Sequence, residues 1–170
     1  MKFRILNFKS VNSTNDVAIR LIKNNKVSPT IVVSENQKKG RGQHGKKWIS
    51  IKGNIFMSFF FQLNNNYKII NFTKKNCQIL KRLFMKVLKR KVTIKLPNDL
   101  LIGKKKICGI LQEIIEHNNR RYIIVGIGIN LIKSPKINNY SSGYLEQFSR
   151  KKINRSYLLG LLKKEFEKNY

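Results

Sequence analysis

The chain has little negative charge. Only eight of its 170 residues are Asp or Glu, against 36 Lys and Arg, for a formal charge of +28. Just two of the acids are Asp, Asp16 and Asp99. An acid in so basic a chain is therefore read as paired or functional. Cysteine is scarce too. Cys77 and Cys108 stand far apart, with no Cys-x-x-Cys pair and no histidine cluster, which argues against a structural zinc site. No protein-side metal cluster is expected. Two thiols fit a reducing compartment. No stretch approaches the roughly 18 consecutive apolar residues of a membrane span. Met1 to Leu6 lacks the apolar core of a signal peptide. The expectation is a cytoplasmic protein without a membrane partner. A chain of 170 residues makes one domain, residues 1–170, with a real core.

An excess of positive charge ordinarily points to nucleic acid. The detail weakens that reading. Of the 36 basic residues 27 are Lys, and they are spread along the chain instead of forming a stripe. Lys, Asn, Ile, Phe and Tyr all have A/T-rich codons, so base composition alone generates this usage. Helix-turn-helix, zinc-finger and aromatic RNA-binding signatures are missing. A basic nucleic-acid-binding module stays as an alternative from another class, and no specific nucleic acid is expected as partner. A diffuse positive field can still steer an acidic partner or a nucleotide.

What the chain does have is Gly40-Arg41-Gly42-Gln43-His44-Gly45-Lys46-Lys47-Trp48, which contains its one tryptophan. Glycines let a backbone pass close to a ligand with its N–H groups inward. Arg and Lys add charge for a carboxylate or phosphate. The segment matches the dinucleotide fingerprint letter by letter but fails its context. Lys47 to Ile51 reads extended where that fold opens a helix, and no acid lies between Glu35 and Asp99 to hold a ribose. A bare basic surface loop is the plain alternative.

A second cluster, Lys95-Leu96-Pro97-Asn98-Asp99, follows a strand-like Val92-Thr93-Ile94, and Lys106 leads into Ile107-Cys108-Gly109-Ile110-Leu111. Proline suits a strand end, which puts Asn98 and Asp99 at an exposed terminus. The plain alternative is a hairpin, with Asn98-Asp99 as turn formers and Lys104 to Lys106 solvated.

Around these clusters the pattern alternates. Ser13 and Asp16 have capping-box spacing ahead of Val17, Leu21 and Ile22, and Asn24-Asn25 ends that helix. Thr30 to Ser34 and Asn54 to Leu63 read as strands. From about Asn71 to Lys89 the set Cys77, Leu80, Phe84, Val87 and Leu88 has a helical period. Val92–Lys95, Leu100–Ile102, Ile107–Ile115 and Tyr122–Ile127 form an antiparallel meander turned at Gly103 and Asn118-Asn119. Residues 155 to 168, with Tyr157, Leu158, Leu161, Leu162 and Phe166, make a last helix. Stretches 64–68 and 133–139 read as loops. The fold class is α+β: a mixed, mostly antiparallel sheet with helices on one side.

Together these motifs resemble the catalytic domain of bacterial biotin–protein ligases. That family carries Gly-Arg-Gly-x-x-Gly-x-x-Trp, matched by Gly40 to Trp48, and Lys-Trp-Pro-Asn-Asp, matched by Lys95 to Asp99. Its lysine before small-Gly-Ile-Leu is matched by Lys106, its Gly-x-Gly-Ile-Asn by Gly126 to Asn130, and its Ser-Thr-Asn by Ser13 to Asn15. The resemblance covers nearly the whole chain and implies a domain related to class II aminoacyl-tRNA synthetases. It implies activation of biotin by ATP with Mg²⁺ to biotinyl-5′-adenylate, then transfer to a lysine of the biotin carboxyl carrier protein of acetyl-CoA carboxylase. It implies biotin contacts from Ser13, Thr14, Asn15, Gln37, Gly40, Arg41, Lys106, Gly126 and Gly128, the last two leaving room for the bicycle. Nucleotide contacts fall to Gly42, Gln43, Gly45, Lys46, Trp48, Asn98 and Asn130. Arg41, Lys106 and Asp99 carry the chemistry, Asp99 ordering Lys106 or a hydrated Mg²⁺.

Two departures stand out. Leu96 replaces the motif's Trp, and Gln43 stands where many members carry Arg, leaving one charge fewer to retain the adenylate. A monomer or weak homodimer is expected, with no N-terminal DNA-binding domain and no C-terminal β-barrel. The nearest enzymatic alternative is a lipoate–protein ligase or octanoyltransferase. Another is a ligase fold that has lost activity. For single residues the plain readings are a helix cap for Ser13, core for Trp48 and a bulge for Gly126 and Gly128. Cys108 is read as a small buried residue, and His44 and His117 as loop residues.

Overall fold

Strand β1 (Arg4–Phe8), helix α1 (Thr14–Lys23) and strand β2 (Thr30–Ser34) open the chain as a β-α-β unit in which β1 and β2 run parallel. The structure, a computed structural model, describes residues 1–63, 69–137 and 140–170. Strand β3 (Ile55–Gln62) and helix α2 (Ile69–Leu88) follow. Then come β4 (Thr93–Lys95), β5 (Asp99–Ile102), β6 (Lys105–His117), β7 (Arg120–Ile129) and helix α3 (Arg155–Asn169). Among the described residues one sheet holds seven strands in the order β1-β2-β3-β7-β6-β5-β4, and every strand pairing except β1 with β2 is antiparallel. The expected loop 64–68, and residues 138 and 139 of the loop 133–139, lie outside the described residues.

Strand alternation sets up two cores. On one face Ile31, Val33, Phe59, Phe61, Ile123 and Val125 pack with α2 and α3. On the other, Val32, Phe60, Tyr122 and Ile124 pack with Val17, Ala18 and Ile22 of α1. Residues one apart on a strand point to opposite faces, so α1 lies across the sheet from α2 and α3. The expectation of helices on one side holds for α2 and α3 and is corrected for α1. Sequence periodicity shows that a helix has one apolar stripe, not which face of the sheet receives it. Phe59 has no exposed surface, and its ring meets those of Phe3, Phe61, Phe166 and Tyr170. Burial of such a side chain contributes roughly 1.5–3 kcal/mol.

The turns follow local chemistry. Asn118 and Asn119 take positive φ (50° and 57°) in the two-residue turn from β6 to β7, the conformation that favours asparagine there. Asn154 caps α3, its side chain accepting the Tyr157 N–H at 2.9 Å. Asn154→Ala should lower unfolding free energy by about 1 kcal/mol in chemical denaturation; an unchanged midpoint would mean that water replaces the cap. Tyr157, expected on the helix's apolar face, points to solvent, while Leu158, Leu162 and Phe166 are buried.

Helix α1 covers only part of its face. Ser58, Gly126 and Gly128 continue the row of Phe60 and Ile124, and Gly109 and Leu111 pair directly with Gly128 and Gly126. That uncovered, small-residue patch is the floor of the site.

Candidate active site

A pocket of about 660 Å³ opens over this patch. Its walls are the start of α1, the glycine segment, the turn before β5, the start of β6 and the segment after β7. The first four pieces carry four of the motifs, and the fifth motif, Gly126 to Asn130, supplies the floor and the first residue after β7.

At one end is a neutral hydrogen-bonding cage. Ser13, Thr14 and Asn15 are buried at the first turn of α1. Gln37 Oε1 accepts the Thr14 backbone N–H at 2.9 Å and its hydroxyl at 3.2 Å. The Ser58 hydroxyl lies 2.7 Å from Thr14 Oγ1 and donates to the Asn15 side-chain carbonyl. Ser13 has the extended backbone of an N-cap, but its side chain makes no cap bond, and Asp16 pairs with Arg41 at 2.9 Å. The capping-box reading is therefore corrected, and the Ser13 hydroxyl is not committed to the helix.

The glycines of β7 lie in unbroken pairing with β3 and β6, so neither is a bulge. Their missing side chains are already replaced. A Cβ on Gly126 would run into the Asn15 amide, and one on Gly128 into the Trp48 indole. Gly109 also supports that indole: a Cβ there would stand 2.8 Å from Trp48 Cζ3. The space expected for a bicycle is taken by Asn15 and Trp48, which themselves form the surface that a ligand meets. Trp48 is half-buried, not core, and its Nε1–H is buried without a partner.

The glycine segment is a small closed hairpin. The Trp48 N–H donates to Gly40 O (2.9 Å), Gly42 N–H to Lys46 O (2.7 Å) and Lys46 N–H to Gln43 O (3.1 Å). Gly40 lets the Trp48 carbonyl pass close, and Gly45 takes φ +71°. Neither lines the pocket. The Gly42 amide is spent within the loop, so the expected ring of free glycine N–H groups is corrected to a self-bonded turn. Gln43, His44, Lys46 and Lys47 face the pocket from it.

Arg41 was expected to meet an anion. Instead its guanidinium grips Glu113 through two bonds of 2.8 Å and Asp16 at 2.9 Å. Burial alone would lower its pKa; Glu113 and Asp16 more than reverse that. Asp16 and Glu113 thus join Asp99 as acids at the motifs. Glu113 and Asp16 were missed because one sits in a plain strand sequence and the other had a capping role to explain it.

At the opposite end Lys106 Nζ sits 2.7 Å from Asp99 Oδ1, with its side chain 15% exposed, which removes the solvated-run reading for Lys106, while Lys104 is exposed in the turn between β5 and β6. The Trp48 and Tyr140 rings flank the ammonium at 5.4 and 5.3 Å. Burial pulls the lysine's pKa down, but Asp99 and Tyr140 outweigh it and leave it above the ordinary value. Tyr140 was not anticipated. Residues 141 to 143 place it by pairing with the Lys106 backbone, N–H to Ser141 O (3.0 Å) and O to Gly143 N–H (2.9 Å). Asn98 is knitted to β6, its amide donating to Ile110 O at 2.7 Å. Asn130 donates to Gly143 O at 3.0 Å and keeps its buried Oδ1 without a partner. Burial pushes the Cys108 thiol well above its usual range, which suits a structural residue. Among the described residues no group of three His, Cys, Asp or Glu could hold a metal ion, and no helix is long and apolar enough to cross a membrane.

The pocket's charge is lopsided. Lys46, Lys47, Lys95 and Lys106 line it against Asp99 alone among the acids. One end binds by neutral hydrogen bonds, and the other attracts anions.

Comparison with known proteins agrees with this layout. Residues 7–130 match the description of the biotin/lipoate A/B protein ligase family. The bifunctional ligase/repressor BirA of Bacillus subtilis (strain 168) is 31% identical over 168 residues, covering 94% of this chain and 51% of the relative. The chain thus spans about half the length of the Bacillus relatives it matches. The biotin protein ligase from Aquifex aeolicus, solved in complex with biotin and ATP, superposes with a TM-score of 0.80 at 28% identity, over 98% of this chain and 69% of that one. P. falciparum LipL1 in complex with lipoate has a TM-score of 0.69 at 14% identity, over 98% of this chain and 61% of that one, so it shares the fold alone. The chain belongs to the biotin/lipoate A/B protein ligase family.

Proposed function

We propose that this chain is the catalytic domain of a biotin–protein ligase. It joins biotin to ATP as biotinyl-5′-adenylate and passes the acyl group to a lysine of a biotin carboxyl carrier domain. The observation that carries the reading is the two-ended pocket. A ureido ring offers paired N–H donors and a carbonyl acceptor, and Ser13, Thr14, Asn15 and Gln37 supply matching partners. The dithiolane of lipoate offers none, so it would gain nothing from the uncommitted Ser13 hydroxyl or the remaining lone pairs of the cage.

The bicycle lies against Trp48 over Gly128, and the valeryl tail leads to Lys106. There the carboxylate oxygen attacks the α-phosphate of ATP and the bond to pyrophosphate breaks. Lys106 stabilises the charge on both reacting anions, and Asp99 holds the ammonium in place. Lys46, Lys47 and Lys95 neutralise the phosphates, while the Trp48 N–H and Asn130 Oδ1 remain for the nucleotide. Mg²⁺ carried by ATP would add its charge to that of these lysines on the phosphates. The carrier's lysine amine then attacks the acyl carbon and AMP leaves. Two free buried cysteines and the need for ATP fit a cytoplasmic place of action.

Biotin with ATP should raise the thermal midpoint by several degrees, because a ligand that binds only the native state stabilises it. Lipoate with ATP should do so much less. Stabilisation by lipoate and not by biotin would reverse the substrate assignment.

A further inference from the structure

We infer that Glu113 is a positioning residue that holds the glycine segment to the sheet, and that Arg41 acts as its clamp and not as an anion ligand. The inference rests on the ligase reading for its consequence, but its geometry stands alone. Glu113 belongs to none of the five motifs. It lies on β6 opposite Ile124, on the face that carries the pocket. One carboxylate accepts three N–H groups from two walls. Arg41 Nη1 and Nη2 each donate at 2.8 Å from the glycine segment, and Asn15 Nδ2 donates at 2.7 Å from α1. Asp16, one residue on in α1, takes Arg41 from the other side at 2.9 Å. Glu113 thereby joins the sheet, the cage and the loop at one point.

The charges decide what Arg41 can do. A guanidinium held by two carboxylates has a formal sum of −1, which does not attract a carboxylate or phosphate. Two of its five donors are fixed in a bidentate fork, and Nε is buried without a partner. Anion binding therefore falls to the lysine end of the pocket. The side chains are 25% exposed for Glu113 and 37% for Arg41, so solvent weakens the pair, but the fork geometry is the strong kind. The same glycine segment carries Trp48, whose indole rests on Gly109 and Gly128. Freeing Arg41 would leave the indole as the segment's main hold on the pocket floor.

The test is hydrogen exchange on the full chain without ligand, followed at the Gly42, Lys46 and Trp48 amides, whose bonds close the loop. Glu113→Gln keeps the shape and removes the charge. It should speed exchange at those three amides by about tenfold, the scale of a hydrogen bond to a charged group, with the amides of β3 unchanged. Arg41→Ala should do the same, and the double variant should add little to either. With substrates, Glu113→Gln should raise the KM for biotin several-fold, lower kcat less, and increase escape of adenylate into solution. Wild-type exchange at the loop would overturn the clamp, as would acceleration spread evenly through β3 or additive effects in the double variant. Absence of adenylate from the parental protein would strike the ligase reading alone, because exchange is measured without ligand.

Discussion

Lys106→Ala should slow adenylate formation by roughly 10²–10³-fold while the protein stays folded, the usual loss when one charge-stabilising donor leaves such a site. Two anions must meet there, and their repulsion rises as the carboxylate nears the α-phosphate. Lys106 is the lysine of the pocket fixed in place by a charged partner and flanked by two rings. Its order is prepaid by Asp99, so no reorganisation is needed as charge develops. Its pKa lies above the ordinary 10.5, since Asp99 and Tyr140 outweigh the effect of burial. A raised pKa keeps the ammonium fully protonated at neutral pH. The rate should therefore show no loss from this group as pH rises until beyond that value. Single-turnover measurement with a thermal melt as control decides it. A change under about threefold would return Lys106 to a structural role.

The motifs could be placed from sequence because each ties a residue type to a backbone feature. Pro97 marks a strand end, Asn118-Asn119 a tight turn, and Gly126 and Gly128 a close approach. The first two are local and are found where expected; at the two glycines the close approach is made by Asn15 and Trp48, not by the expected bicycle. Strand β1 was not anticipated. Arg4 to Phe8 is short, sits at the sheet's edge and is largely exposed, so it lacks the apolar alternation of an internal strand. Its parallel pairing with β2 makes the sheet mixed, and no local signal reports a partner 26 residues away.

The acids of the site were illegible for a similar reason. Glu113 stands in Leu111-Gln112-Glu113-Ile114, an ordinary strand sequence. Its meaning comes from Arg41, 72 residues earlier. One signal was available: the chain has eight acids, and an acid within an apolar strand sequence of so basic a protein needs a partner. Local spacing accounts for Asp16 as part of a helix cap, but in the fold its carboxylate pairs with Arg41 instead. Tyr140 follows a lysine- and asparagine-rich stretch with no period, and only the pairing of residues 141 to 143 with Lys106 puts it over the ammonium.

Gly128→Ala is expected to cost more than a single methyl suggests. The added carbon would run into the Trp48 ring system, and Gly109 below closes the other way out, with the indole 2.8 Å from a Cβ placed there. The backbone of β7 is fixed by pairing on both sides, so the side chain must move instead. Overpacking of this kind costs roughly 1–3 kcal/mol. Here the strain falls on the surface that receives the bicycle, so biotin affinity should drop by about ten- to a hundredfold, and the melting point should fall by several degrees. Trp48 is the one tryptophan, so its emission reports the event directly. In the parent, biotin with ATP should shift that emission. In Gly128→Ala the emission of the free protein should already be red-shifted, because the displaced indole meets water. On a Trp48→Ala background the clash partner is gone, and Gly128→Ala should weaken biotin binding little further. Parental affinity and emission in Gly128→Ala would mean that the indole has another place to rest, and that Gly128 is not what sets the pocket floor.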